Sequence, residues 1–302
     1  MKAIVIHQYG GPDVLKFEDT PDPVAGAGEV VVRVAAASIN PIDIIERSGA
    51  MKDFRPMTFP NVLGWDLAGT IVSVGPQVQG FSLGDKVLAW GYHTYAELSA
   101  VKAELLAKVP AGLDLVEAAA LPLVTTTGAE LILVAGGVKA GQTVLVSGAS
   151  GAVGRSAVFT AKERGAKVIA GVRNSQMEAA KSLGADQVAA IDDEDALNRI
   201  APVDVVANTV RGATAGRLIG KVKPGGVFAS VTGAPDNAND FPAVRVAAFL
   251  SKQDAKTILH MAEAVSAGKL VIPIERKLPL KDAAAGHAAV EKGVGGKVLL
   301  LP

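Results

Sequence analysis

Three glycines stand at residues 148, 151 and 154, directly after the apolar run Thr143–Ser147. An apolar segment with a helical pattern, residues 152–164, follows them. A strand, a glycine turn and a helix in this order can bind a pyrophosphate, because helix N-terminal N–H groups and the helix dipole both attract anions. Ala149 replaces the first glycine of G-x-G-x-x-G, so the turn by itself predicts a dinucleotide site, and the alternative is a turn without ligand. The predicted contacts are Ser150, Gly151, Ala152, Val153 and Gly154.

The end of the next predicted strand, Lys167–Val172, bears on which dinucleotide would bind. NAD-binding folds usually place Asp or Glu there for the ribose hydroxyls, whereas NADP-binding folds lack the acid and supply a cation for the 2′-phosphate. Here the strand is followed by Arg173, Asn174 and Ser175, with no carboxylate. The sequence therefore predicts NADPH with Arg173 as its phosphate partner. The alternative is that Arg173 is a solvated loop residue.

The predicted secondary structure changes its pattern along the chain. In the first third, short strands separated by Gly and Pro are predicted at residues 3–7, 15–18, 29–35, 69–74, 86–89 and 95–100, as in a barrel or sandwich. From about residue 115, β-branched strands alternate with helices, which is typical of a parallel sheet covered on both faces. We predict an α/β chain with a β domain, residues 1–118 completed by 275–302, and a doubly wound domain, residues 119–274.

The composition excludes several classes of protein and of site. The 302 residues are 49% hydrophobic and carry 30 Lys+Arg against 30 Asp+Glu, so no basic excess points to nucleic acid or an anionic membrane. Cysteine is absent, which excludes disulfides, thiolate metal sites and a cysteine nucleophile. No apolar run approaches the ~20 residues of a membrane span, and we expect a cytoplasmic protein.

Four motifs carry a resemblance to a known family. They are FPNVLGWDLAGTIVSVG at residues 59–75, SINPID at 38–43, ASGAVG at 149–154 and GGKVLL at 295–300. On these motifs the chain resembles the medium-chain dehydrogenases/reductases over nearly its whole length. Within them it is similar to the zinc-free quinone oxidoreductases, the zeta-crystallin-like branch. The resemblance implies a GroES-like β-barrel domain joined to a Rossmann domain, and a homodimer formed through an edge strand of the Rossmann sheet.

The resemblance also implies a reaction. The family's zinc-dependent members have a catalytic Cys where Asn40 stands and a His-Glu pair where Trp65 and Asp66 stand, so we expect no metal. Without a Lewis acid a simple carbonyl is hard to polarise. We therefore expect hydride transfer from NADPH to a quinone or an α,β-unsaturated carbonyl compound. The alternatives are a non-catalytic NADPH-binding redox sensor and an enoyl-thioester reductase, for which a basic patch would be needed.

Three residues are catalytic candidates by this resemblance, which puts the nicotinamide in a cleft between the two domains. Asn40 would donate a hydrogen bond to the oxygen that becomes negative, and the alternative is an Asn that stabilises the turn before Pro41. Asp43 would orient its neighbours. Thr126 would lie near the nicotinamide and phosphates, with helix N-capping as the alternative.

The remaining candidates are contacts of the cofactor and of the substrate. Asn40 and Thr126 are also candidates for holding the cofactor, together with Asn208, Thr232, Gly233 and Lys297. Aromatic side chains would form a flat wall for a quinone ring, with a purely structural core as the alternative. These aromatic residues are Trp65, Tyr92 and Tyr9.

Overall fold

The computed structural model describes residues 1–302, which form two units. The first unit comprises Met1–Leu123 with Gln253–Pro302, and the second comprises Val124–Lys252. The sequence placed these boundaries near residues 118 and 274 instead. The segment after residue 252 returns to the β-rich unit, and its first helix packs on strands of that unit.

The elements of the chain follow in order, first those of the N-terminal segment. Its strands and helices are β1 (Lys2–Ile6), β2 (Lys16–Asp19), β3 (Glu29–Ile39), α1 (Pro41–Ser48), β4 (Asn61–Val62), β5 (Asp66–Val74), β6 (Lys86–Trp90), β7 (Leu98–Lys102), β8 (Leu106–Lys108) and α2 (Leu115–Ala118). The middle segment contains α3 (Pro122–Glu130), β9 (Thr143–Ser147), α4 (Ala152–Glu163), β10 (Lys167–Val172), α5 (Met177–Ala180), β11 (Gln187–Ala190), α6 (Glu194–Asn198), β12 (Val203–Asn208), α7 (Gly212–Ile219), β13 (Val222–Ser230) and β14 (Arg245–Ala248). The C-terminal segment adds α8 (Ala255–Ser266), β15 (Ile274–Pro279), α9 (Ala283–Lys292) and β16 (Lys297–Leu301).

A curved seven-stranded sheet forms the centre of the first unit. Its order is β15-β16-β3-β5-β6-β8, and β7 also pairs with β3, while β2-β1-β4 form a small second sheet. Strand β3 pairs with β5 through two register shifts, at Val31/Val32 and Val34/Ala36. Such bulges bend a strand and increase its twist, which lets one long strand serve two partners. Apolar side chains fill the interior, among them Ile4, Val32, Leu67, Val87 and Leu300.

The second unit is built on a six-stranded parallel sheet. Its order is β11-β10-β9-β12-β13-β14, with helices on both faces. The order reverses between β9 and β12, and ligands of doubly wound sheets bind at the carboxyl ends of the strands beside such a reversal. The predicted fold class, a GroES-like β unit with a Rossmann unit, is confirmed. None of the helices is long and apolar enough to cross a membrane.

Several elements differ from their predicted positions. Helix α1 was not predicted, although Pro41 at its first position favours a helix start. Strand β15 begins at Ile274, directly after Pro273, which has no N–H to donate to a ladder. Strand β13 begins at Val222 and contains the Pro-Gly-Gly segment at residues 224–226, and its pairing with β12 has a register shift.

Candidate functional site

Packing requires two glycines of the turn between β9 and α4. Gly148 has a φ of +63°, and a Cβ there would lie 2.3 Å from the Thr209 hydroxyl. A Cβ on Gly154, in the first turn of α4, would lie 2.2 Å from the carbonyl oxygen of Gly148. The turn therefore depends on glycine at both ends, one for its left-handed backbone and one for close contact between helix and turn.

The middle of the glycine turn is open, and this is where a ligand fits. Gly151 is exposed at the N-cap of α4, and a Cβ there would approach only the Gly148 oxygen, at 3.3 Å. The hydroxyl of Ser150 is buried and has no hydrogen-bond partner. Arg155 Nε fixes the turn by donating to the Ser150 carbonyl oxygen at 2.9 Å. An exposed backbone, an unpaired hydroxyl and a helix N-terminus fit a pyrophosphate group.

The end of β10 has the predicted cation and also an unpredicted acid. Arg173 is exposed and makes no ion pair, which both the phosphate partner and the solvated loop residue predict. Asp192, however, accepts a hydrogen bond from the Asn174 N–H at 2.8 Å. Strand β11 is parallel to β10 in the sheet, so the residues after β11 reach the same edge. That pairing is the signal that would have predicted Asp192. Lys181 forms an ion pair with Glu178 on the surface.

Asn208 joins three neighbouring strand ends of the sheet. Its Oδ1 accepts from Ser147 Oγ at 2.9 Å, and its Nδ2 lies 2.8 Å from the Val210 oxygen and 3.1 Å from Ser230 Oγ and Thr232 Oγ1. The side chain is fully buried, and its hydrogen bonds organise these strand ends. The Thr232 hydroxyl in turn donates to the Val210 oxygen at 2.9 Å. Gly233, with a φ of +94°, is exposed and has open space around it.

Thr126 lies inside α3 and is fully buried. The helix begins at Pro122, four residues before Thr126, so N-capping by this threonine is excluded.

In the first unit, Asn40 and Asp43 form the start of α1. Asp43 Oδ2 accepts the Asn40 backbone N–H at 2.7 Å, which is the acidic half of a capping box and accounts for the N-x-x-D spacing. Burial raises the pKa of Asp43 to about 8, with the nearby Asp66 adding to the shift. Asp43 is therefore a protonated, orienting group at neutral pH.

The side chain of Asn40 belongs to a buried group that we call the Asn40 cluster, namely Ser38, Asn40, Asp66 and Lys297. Asn40 Nδ2 donates to Asp66 Oδ2 at 2.8 Å and, at 3.4 Å, to the Ser38 carbonyl oxygen. Its Oδ1 accepts from Lys297 Nζ at 2.6 Å. Both hydrogens of the Asn40 amide thus have acceptors within the protein. The 3.4 Å bond to the Ser38 oxygen is long and therefore weak, whereas the bond to Asp66 is of normal length.

Asp66 and Lys297 balance each other's charge in this cluster. Their carboxylate and ammonium atoms lie 3.8 Å apart, and Asp66 also accepts from Ser38 Oγ at 2.7 Å and from the Leu123 N–H at 2.8 Å. Burial raises the pKa of Asp66 and lowers that of Lys297, while the attraction between them opposes both shifts. Lys297 was predicted to contact the cofactor. Its amino group is instead buried against Asn40 and the Ile39 oxygen.

The positions that correspond to metal ligands in zinc-dependent relatives therefore have another chemistry here. Asn40 and Asp66 both contact the ammonium group of Lys297. The Trp65 indole offers no lone pair to a metal. No group of three or more His, Asp or Glu side chains is arranged to hold a metal ion.

A cavity of about 230 Å³ lies beside α1 in the first unit. Trp65 and Tyr92 line it with ring centroids 5.2 Å apart and their planes at 67°, an edge-to-face contact and not a flat wall. Tyr9 does not line it, because its hydroxyl accepts the Met57 N–H and its ring packs on Phe59. Two lining residues, Glu46 and Arg55, were not candidates from the sequence, since α1 and the loop after it were not predicted.

Comparisons with known proteins agree with this architecture. The alcohol dehydrogenase GroES-like domain matches residues 26–111, and a zinc-binding dehydrogenase domain matches residues 183–300. The chloroplast envelope quinone oxidoreductase homolog of Arabidopsis thaliana is 30% identical, over 100% of this chain and 98% of that protein. The NADPH-dependent alkenal/one oxidoreductase of the same plant is 34% identical, over 78% of this chain and 63% of its own length. The structure of Escherichia coli quinone oxidoreductase complexed with NADPH matches with a TM-score of 0.88 and 26% identity, over 100% of both chains.

Proposed function

The chain is an oxidoreductase that belongs to the quinone oxidoreductase branch of the medium-chain dehydrogenases/reductases, and we propose that it reduces a quinone or an α,β-unsaturated carbonyl compound with NADPH. The observation that carries the proposal is the open sheet edge of the second unit. There the glycine turn (residues 148–154) exposes its backbone beside the unpaired guanidinium of Arg173.

Two groups in the second unit would hold the cofactor. The backbone of the glycine turn and the Ser150 hydroxyl would bind the pyrophosphate, and Arg173 would pair with the 2′-phosphate. Asp192 lies at the same edge, but its Oδ1 is already bonded to the Asn174 N–H. When bound, NADPH supplies the hydride.

The Asn40 cluster would act on the acceptor. We assign to Asn40 a hydrogen bond to the oxygen that gains negative charge, donated by the hydrogen that the 3.4 Å bond to Ser38 holds weakly. Lys297 would be a positioning residue, since its ammonium group holds Asn40 Oδ1 and thereby orients the amide. Conjugated acceptors spread the incoming charge, so this single donor suffices where a simple alcohol dehydrogenase needs a metal.

A panel of acceptors tests the proposal. Benzoquinone, menadione and a set of enones and enals are offered with NADPH in the presence of a chelator, and NADPH oxidation is followed. We expect turnover of conjugated acceptors and none of saturated aldehydes. If no acceptor of the panel causes NADPH oxidation although NADPH binds tightly, a non-catalytic sensor is supported instead. Turnover of enoyl thioesters alone would support the enoyl-thioester reductase.

We also propose a homodimer through the second unit's sheet. Strand β14 lies at one edge of that sheet and pairs only with β13. An unpaired edge strand offers N–H and C=O groups to the same strand of a second copy. Sedimentation equilibrium measures the mass directly, and a monomer at micromolar concentration would contradict the proposal.

A further inference from the structure

The cavity beside α1 contains a guanidinium group that is held in place on two sides. Arg55 Cζ lies 4.4 Å from the ring centroid of Trp65 and 5.0 Å from that of Tyr92. Its Nε lies 3.4 Å from Glu46 Oε1. Stacking on aromatic rings and an ion pair at Nε fix the plane of the group and the side that faces Glu46.

The Nη groups of the Arg55 guanidinium make no hydrogen bond within the protein. The side chain of Arg55 is 39% exposed. Arg47, eight residues earlier on α1, shows the opposite case. Its guanidinium donates to the Gly10 oxygen, His287 and Glu291, and the side chain is 2% exposed. A structural arginine of this unit is thus saturated by protein acceptors, whereas the two Nη groups of Arg55 have no acceptor in the protein.

Glu46 only partly neutralises Arg55. Its other oxygen, Oε2, accepts the Trp65 Nε1–H at 2.7 Å, which spreads its charge away from the arginine. Burial raises the pKa of Glu46, while the Trp65 hydrogen bond and the Arg55 charge oppose that shift.

We propose that Arg55 binds a carboxylate of the substrate in this cavity, so that the preferred acceptor is a small enone or quinone that bears an acidic group. This inference rests on the proposed reductase function and specifies its substrate class. A guanidinium presents two parallel N–H groups in the geometry of a carboxylate, and Trp65 and Tyr92, which line the same cavity, hold this guanidinium in place. The volume of about 230 Å³ suits a single ring or a short chain.

The test compares an acid with its uncharged ester. Acetylacrylate and its methyl ester share the same enone and differ in the carboxylate. We expect the wild-type KM for the acid to be lower than that for the ester by at least about tenfold. Arg55→Met should raise the KM for the acid by a similar factor, with little change in kcat or in the KM for the ester. Arg33→Met, which removes an exposed arginine of β3 outside the cavity, is the matched control.

Arg55→Lys separates charge from geometry, because it keeps the cation and loses the planar fork. We expect its KM for the acid to lie between those of the wild type and Arg55→Met. If Arg55→Met changes acid and ester equally, or if the wild type does not distinguish them, the inference is overturned while the reductase function stands.

A binding measurement keeps the inference testable without turnover. Levulinate, the saturated analogue of acetylacrylate, is titrated into the chain by calorimetry with methyl levulinate as the reference. We expect levulinate to bind the wild type at least about tenfold more tightly than Arg55→Met. Equal affinities would overturn the inference. If levulinate binds tightly through Arg55 but no enone is reduced, the proposed reaction is wrong and the carboxylate site is still supported.

Discussion

The polar groups of the Asn40 cluster in the first unit and those at the sheet edge of the second unit differ in how fully the protein hydrogen-bonds them. In the Asn40 cluster of the first unit every polar side chain is buried and hydrogen-bonded to another member or to the backbone around it. At the sheet edge of the second unit, Gly151 and Arg173 remain exposed and the Ser150 hydroxyl is unpaired. A saturated group keeps its geometry without a ligand, whereas an unsaturated edge gains hydrogen bonds when a ligand arrives.

This difference suggests that the Asn40 cluster and the open sheet edge have different roles. The first unit supplies a rigid arrangement around Asn40, whose stability is part of the fold. The second unit supplies donors for an anion, and their energy is realised only on binding. Substitutions in the Asn40 cluster should therefore act mainly on stability, and those at the open edge should act mainly on cofactor affinity.

The largest effect is expected for Lys297→Met. It leaves the Asp66 carboxylate buried without a counter-charge, and breaking a buried pair from one side costs about 3–5 kcal/mol. Urea unfolding measures the loss. The double variant Lys297→Met with Asp66→Asn removes both charges and should recover most of it. A loss below about 1 kcal/mol for the single variant would mean that the pair does not stabilise the unit.

Gly154 and Gly151 separate packing from binding within one turn. Gly154→Ala places a Cβ 2.2 Å from the Gly148 oxygen, so the turn must shift at a cost of about 1–3 kcal/mol. Gly151→Ala meets nothing closer than 3.3 Å and should leave stability nearly unchanged while it weakens NADPH binding. Thermal unfolding and NADPH titration of both variants check this. Equal stability losses in the two variants would contradict the assignment of Gly151 to the ligand.

Asp43 gives the first unit a pH-dependent stability. Its pKa is 3.8 when unperturbed and about 8 in the folded chain, so between these values the folded chain retains a proton that the unfolded chain releases. Stability therefore falls as pH rises through this window. His287 acts in the opposite direction below pH 6.5, because burial lowers its pKa to about 3. Between pH 6.5 and 8 the contribution of Asp43 to stability should fall by about 2 kcal/mol.

The variant Asp43→Asn is the control for this pH effect. It mimics the protonated acid and should abolish the decline between pH 6.5 and 8. Urea unfolding at several pH values provides the measurement. An unchanged decline in Asp43→Asn would assign it to other groups.

The smallest effect concerns the choice of cofactor. Arg173→Gln should weaken NADPH binding about tenfold, or about 1.4 kcal/mol, and leave NADH binding unchanged. Asp192→Asn removes a negative charge from the same edge and should strengthen NADPH binding. Arg199→Gln, an exposed arginine at the end of α6, serves as the control. If Arg173→Gln weakens both cofactors equally, the 2′-phosphate is not its partner.

The sequence predicted the second unit better than the first. The glycine turn and the strands β9 and β10 follow from local patterns, because parallel strands read as continuous apolar runs with a turn after each. Strand β11 pairs with β10, and this pairing brings Asp192 to Asn174. The order of strands in a sheet cannot be predicted from local sequence patterns, so Asp192 was missed.

The first unit resisted prediction because its contacts join distant residues. Lys297 and Asn40 are 257 positions apart, and no local pattern indicates that their side chains meet. Motif resemblance selected both residues, but it assigned Lys297 to the cofactor and did not indicate that its ammonium group meets the Asn40 amide. The cavity residues Glu46 and Arg55 were missed with helix α1, whose Asn-Pro start was interpreted as a turn.

The most direct test of the account is the rate of acceptor reduction with each cofactor. With menadione as acceptor and a chelator present, kcat/KM is measured for NADPH and for NADH. We predict a value at least about tenfold higher for NADPH, unaffected by the chelator. Equal values for the two cofactors, or loss of activity on chelation, would contradict the account.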